Sequence, residues 1–136
     1  MSLRVAILIG ALLGASGVGL GAYHAHGLEA KLAKQGLAAE EVEQRVAQGD
    51  VGVRYQMVHA LVLLFLGLLA ERQASICLKT SAWCFTLGVL LFSGGLYMLS
   101  LGGPAVFRHW AIVPIGGLTL IVGWTALIGH AVRMRA

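Results

Sequence analysis

Charge is scarce in this chain: 12% of its 136 residues are charged, against roughly 25% in an ordinary soluble domain. So little polar surface cannot cover a core, which excludes a water-soluble globule and places the bulk of the chain in a membrane. Acid is scarcer still. Of six Asp and Glu, five fall between residues 28 and 50 and the sixth is Glu71. No carboxylate therefore enters the apolar runs, and a carboxylate-rich catalytic or metal site within them is excluded. Cysteine is limited to Cys77 and Cys84. Two helical turns, roughly 10 Å at 1.5 Å per residue, are too far for a disulfide within one straight helix, so both are read as free thiols. Neither a C-x-x-C pair nor a C-x-x-C-H haem attachment motif is present. No basic cluster with interleaved aromatics appears, which argues against nucleic-acid binding. The net charge of +4 and pI near 9.5 fit anionic lipid headgroups instead.

What the chain does have is apolar length: 58% of it is hydrophobic and mean hydropathy is +0.83. Four apolar runs predict spans at about 3–23, 52–70, 82–101 and 111–130, hence an all-α, integral membrane four-helix bundle made of a single transmembrane domain, 1–136. The first run is about 20 residues long, which suits a span better than the ~7–15 of a signal peptide, and is expected to stay in the mature protein. It carries two G-x-x-x-G pairs, Gly10/Gly14 and Gly17/Gly21, whose small residues predict close helix packing. Gly94-Gly95 and Gly116-Gly117 are read the same way. Gly102-Gly103-Pro104 ends the third span, and Pro114 fits the first turn of the fourth, where its missing N–H costs nothing. Arg108, His109 and Trp110 lie in the connector between them, with Trp110 as an interfacial anchor.

The segment 28–50 is the one sizeable polar stretch. Gly36 and Gly49 divide it into two short helical candidates, Leu28 to Gln35 and Leu37 to Gln48, the second with a face of Ala39, Val42 and Val46 that suits the headgroup layer. Four spans put both termini on one side. Arg4, Arg72, Lys79, Arg133 and Arg135 fall on that side, and Lys31, Lys34, Arg45, Arg54 and Arg108 on the other, a tie under the positive-inside rule. The five carboxylates beside the second set tip the orientation towards termini in the cytoplasm, with the plasma (inner) membrane as the location in a bacterium.

Polar side chains inside greasy helices must find partners. Tyr55, Gln56 and His59 lie three and four residues apart and share one helix face at the start of the second span. Topology brings His26, Ser93, Tyr97 and Pro114 to the same half of the bundle. The predicted polar cluster is therefore His26, Tyr55, Gln56, His59, Ser93 and Tyr97, while the other half, with only isolated Thr and Cys, is expected to be plain packing.

Four motifs in order, one for each span, carry a family resemblance: Gly19-Leu20-Gly21-Ala22 with His26-Gly27-Leu28, Tyr55-Gln56-Met57-Val58-His59-Ala60-Leu61, Leu91-Phe92-Ser93-Gly94-Gly95-Leu96-Tyr97, and Pro114-Ile115-Gly116-Gly117-Leu118 with Gly123-Trp124. The chain resembles the domain-of-unknown-function 423 family, itself similar to the transmembrane protein 256 group. That resemblance implies a small four-helix membrane protein whose biochemical activity is not established. The chain departs from the pattern at Tyr23-His24, where the family more often has Phe-Gly, and in a longer, more charged first loop. The departure argues against His24 as part of a shared site.

The residues support three readings. First is a non-enzymatic structural or interaction protein, in which the histidines are satisfied structural groups and the partners are membrane lipids, a homo-oligomer or another membrane protein. Second is a small-solute, ion or proton conduit around His59, Tyr97, Tyr55, Gln56 and Ser93, weakened because the polar stripe does not cross the membrane. Third is haem or transition-metal binding by His26 and His59, with His24 for a metal. No cofactor, metal site or catalytic residue is expected: Ser93 with His59 suggests a nucleophile and base, but no carboxylate orients them.

Overall fold

A computed structural model describes residues 2–72, 75–103 and 111–133. These residues form helices and turns, with no strand among them. Helix α1, Leu3–Tyr23, starts at Ser2, whose extended backbone and hydroxyl cap the Val5 N–H at 3.4 Å. It does not stop at Tyr23. A π-helical turn, His24–Leu28, carries it into α2, Glu29–Lys34, and only Gly36, with φ of +74°, turns the chain back. Helix α3, Ala39–Arg72, then runs for 34 residues, about 51 Å at 1.5 Å per residue.

The expected pair of interfacial helices in segment 28–50 is therefore replaced by a helical hairpin, the continuation of the first two spans. Gly49 does not divide the segment. A glycine inside a helix costs about 1 kcal/mol relative to Ala, but here it admits a neighbour. The His24 ring occupies the place where a Cβ of residue 49 would stand, and the Tyr97 ring lies against Gly52 in the same manner. Glu40 and Glu41 in the first turn of α3 favour its start. Leu28, Leu32 and Val42, flanked by Leu37 and Val46, give the hairpin a small core of its own.

Helix α4, Ile76–Ser100, begins six residues earlier than the apolar run suggests, because the Ser75 hydroxyl accepts the Leu78 N–H at 3.2 Å and caps it. Cys77 and Lys79 thereby become helical, and both cysteines are free. At its other end Gly102, with φ of +71°, lets the N–H groups of Leu101, Gly102 and Gly103 bond back into the last turn. Helix α5, Ile112–Arg133, has Pro114 in its first turn. Pro104, Arg108, His109 and the anchor assigned to Trp110 lie outside the described residues.

Helices α3 and α4 form the inner pair, with α1 packed on α3 and α5 on α4. Leu63 and Leu66 of α3, Leu78, Phe85 and Val89 of α4 and Leu120 of α5 make the main core. Leu8, Leu12, Phe65, Leu87, Leu118 and Ile128 point outwards, as side chains facing lipid would. All four long helices are apolar enough to cross a membrane. The α4–α5 contact is antiparallel, with a glycine at each level: Phe85 faces Gly123, Gly88 faces Leu120, Phe92 faces Gly116 and Gly95 faces Val113. Large side chains of one helix thus enter gaps in the other. Ser81 adds a hydroxyl bond to the Gly123 carbonyl.

The α1–α3 contact repeats the device through Gly10, Gly17 and Gly21. A Cβ on Gly10 would meet the Ala60 carbonyl at 2.9 Å, one on Gly17 the Met57 sulfur at 2.6 Å, and one on Gly21 the Val53 side chain at 3.3 Å. Gly14 and Gly94 have open space there instead, so neither serves helix packing among the described residues. Likewise Gly95 faces α5 while its neighbour Gly94 is turned away, and Gly117 meets the Phe92 ring at an ordinary 3.6 Å.

These contacts differ in what a methyl group would cost. Gly116→Ala should destabilise the fold by about 1–3 kcal/mol or more, because the clash is with Phe92 backbone that cannot step aside. Gly14→Ala should leave stability unchanged or raised; unfolding of both variants in micelles, followed by circular dichroism, checks the pair.

Candidate functional site

Gln56 is the hub of the polar layer. It is 4% exposed, and each polar atom of its amide is used. Nε2 donates to the Leu13 carbonyl at 2.7 Å and to Ser16 Oγ at 3.0 Å, both on α1, while Oε1 accepts the Tyr97 hydroxyl of α4 at 2.9 Å. The close approach at Gly17 is what brings α1 within reach, since that glycine sits against Met57 and the Gln56 amide. One side chain of α3 therefore bonds to the helices on both its flanks.

His59, one turn deeper and also 4% exposed, extends the layer to the fourth helix. Its Nδ1 lies 2.8 Å from the Tyr55 carbonyl, a pure acceptor, so Nδ1 carries the proton. Nε2 is then free to accept the indole N–H of Trp124 on α5 at 3.3 Å. Phe85 and Trp124 enclose the ring, with centroids 5.2 and 6.0 Å from it. Both imidazole nitrogens are engaged, which leaves no lone pair for an iron or other metal. Among the described residues no group of three or more His, Cys, Asp or Glu is placed to hold a metal ion.

The other expected members divide. Tyr97 and Ser93 are buried on α4 as expected, although Ser93 Oγ has no hydrogen-bond partner among the described residues. Tyr55 is 42% exposed and joins through its carbonyl and ring, which stacks over His59 and lies 4.6 Å from Phe92. His26 is a correction: it is exposed and outside the layer, and Pro114 is exposed as well. The π-helical turn directs His24 and Leu28 inwards, and two residues from His24 the chain faces out.

His24, set aside because it breaks the family pattern, is 2% exposed, and neither ring nitrogen has a hydrogen-bond partner among the described residues. Its ring packs in the Gly49 notch with its centroid 5.7 Å from that of Tyr97. The signal for it was Gly49 itself, a helix-interior glycine with no turn to make. Three further bonds escaped sequence reasoning. Ser16, and Trp124 of the fourth motif, were assigned no partner, and the terminal half of the bundle is not plain packing: His130 Nδ1 lies 2.9 Å from the Ser75 hydroxyl, tying α5 to the start of α4.

Four membrane-crossing helices, pinned by an amide and an imidazole on α3, define the class: a small integral membrane protein with one buried polar layer. The chain belongs to the family described as "Protein of unknown function (DUF423)", which it matches over residues 20–117. It is 36% identical over 132 residues to the UPF0382 membrane protein YwdK of Bacillus subtilis, covering 96% of this chain and 98% of that one. A UPF0382 membrane protein of Staphylococcus haemolyticus is 39% identical over 126 residues, 93% of each chain. The UPF0382 inner membrane protein YgdD of Escherichia coli is 34% identical over 136 residues, 99% of this chain and 95% of that one. No solved structure matches this chain.

Removing the Tyr97 hydroxyl leaves Gln56 Oε1 without its donor, so Tyr97→Phe should cost about 1 kcal/mol, the scale of hydrogen bonds between membrane helices. Gln56→Leu combined with Tyr97→Phe should cost less than the sum of the two single changes in a double-mutant cycle of micelle unfolding. Gly49→Ala should destabilise by about 1–3 kcal/mol by expelling the His24 ring, and His24→Ala in the same chain should recover most of that loss.

Proposed function

We propose that this chain is a non-enzymatic structural and interaction protein of the plasma (inner) membrane, whose polar layer clamps the four helices and whose helical hairpin is held outside the span for a partner. The observation that carries the reading is the complete use of Gln56 and His59: every polar atom of both side chains bonds to a backbone or side-chain group. Groups so committed are poor proton carriers, ligands or bases and good helix clamps. Membrane lipids are the surroundings, and the outward Leu, Val and Phe side chains suit them.

A second reading, a proton or small-solute conduit, draws on a different observation. His24 and Ser93 are buried without hydrogen-bond partners among the described residues, and both belong to the half of the bundle that holds Tyr97 and Gln56. In a conduit these two would be the groups that exchange partners as a proton or solute moves.

Proteoliposomes separate the readings. Under the clamp reading, wild-type protein passes no more protons or small ions than protein-free vesicles, and Gln56→Leu and His59→Phe each lower the unfolding midpoint. Wild-type flux that disappears in His24→Ala or Ser93→Ala with the unfolding midpoint kept would overturn the clamp reading in favour of the conduit.

A further inference from the structure

The hairpin has two helices and room for a third. Between α2 and the outer half of α3 lies a groove of about 690 Å³, its floor made by Leu37, Val42, Val46 and three alanines and its rim by Glu29, Glu43 and Asp50. No Lys or Arg lines it among the described residues. That is notable in a chain of net charge +4. Arg45, on the same outer half of α3, is committed elsewhere: its guanidinium bonds Glu41 at 2.7 Å and sits by Gly102 at the end of α4, where both residues line a separate, smaller cavity. The outer half of α3 is thus sorted into a face with paired charge towards α4 and a face whose carboxylates have no ion-pair partner among the described residues, over an apolar floor.

Resting on the interaction reading above, we propose that this groove is the docking site for a cationic amphipathic helix of a partner protein. Charge complementarity selects the occupant. Three carboxylates around an apolar floor repel anionic lipid headgroups and anionic amphiphiles and attract Lys and Arg projecting from the edges of an apolar helix face. The dimensions agree: the floor extends from Ala39 to Asp50, about 16 Å at 1.5 Å per residue, room for three turns of a docked helix. Small side chains at Ala33, Ala39 and Ala47 let such a helix approach the backbones closely. The hairpin core of Leu28, Leu32 and Val42 is already closed beneath, so docking needs no unfolding of the hairpin.

The test uses the full chain in nanodiscs of zwitterionic lipid and, as probe, a fluorescent synthetic helix of about four turns with leucine on one face and lysine on the other. Saturable binding above that of empty nanodiscs is expected, weakened about tenfold or more by Glu29→Gln with Glu43→Gln, weakened again by added salt, and unchanged by Glu41→Gln on the opposite face. Ala47→Trp, which fills the floor, should abolish it. Glu29, Glu43 and Ala47 are exposed and Glu41 is half-buried, and unchanged unfolding midpoints verify the fold of each variant. Equal binding by wild type and the Glu29→Gln/Glu43→Gln chain would overturn the proposal. So would displacement of the probe by dodecyltrimethylammonium at equal concentration, which would assign the groove to a small amphiphilic cation. Either failure leaves the clamp reading standing, since that reading falls only on transport by the wild-type protein.

Discussion

Everything in the upper half of this bundle depends on one buried amide. In hydrocarbon a side-chain amide without partners costs several kcal/mol, so Gln56 on α3 must find both a donor and acceptors on its neighbours. It finds acceptors on α1 and a donor on α4 at the same level. Hydrophobic burial cannot choose that arrangement, because lipid is as apolar as leucine and sliding one helix along another loses little. The amide bonds are directional, and they fix how far α1 and α4 are shifted along α3.

Glycine supplies the other constraint. The bonds of Gln56 require α1 to come close, and Gly10, Gly17 and Gly21 remove the side chains that would prevent it. On the far side of the molecule the α4–α5 contact is set by glycines on both helices, with the Phe85 ring entering the gap at Gly123 and the Phe92 backbone lying against Gly116. His59 and Trp124 then connect α3 to α5, two helices that make little backbone contact otherwise. Polar bonds set the register while small residues set the distance, and neither device works without the other.

The hairpin of α2 and the outer half of α3 has a core of its own. Leu28, Leu32 and Val42 are buried there by the hydrophobic effect, and the carboxylates stay on the surface. The π-helical turn at His24–Leu28 joins α1 to this hairpin. A π turn accommodates one extra residue per turn, and here that rotates His24 onto the Gly49 notch and His26 into the open.

Much of the architecture was legible in the chain itself. Scarce charge and four apolar runs determine a four-helix membrane protein, because a backbone in lipid has few alternatives to the helix. The three-and-four spacing of Tyr55, Gln56 and His59 determines a shared face, and the spacing of Ser93 and Tyr97 does so on α4. The tertiary structure alone decided the rest. A glycine reads the same in sequence whether it ends a helix, as Gly102 does, or receives a ring, as Gly49 does, since the difference lies in a neighbour from another helix. His24 and His26 likewise differ only in the direction that one π turn gives them. Periodicity is local information and could name the faces; which face meets which partner is a long-range choice made by the Gln56 and His59 bonds and the glycine contacts together.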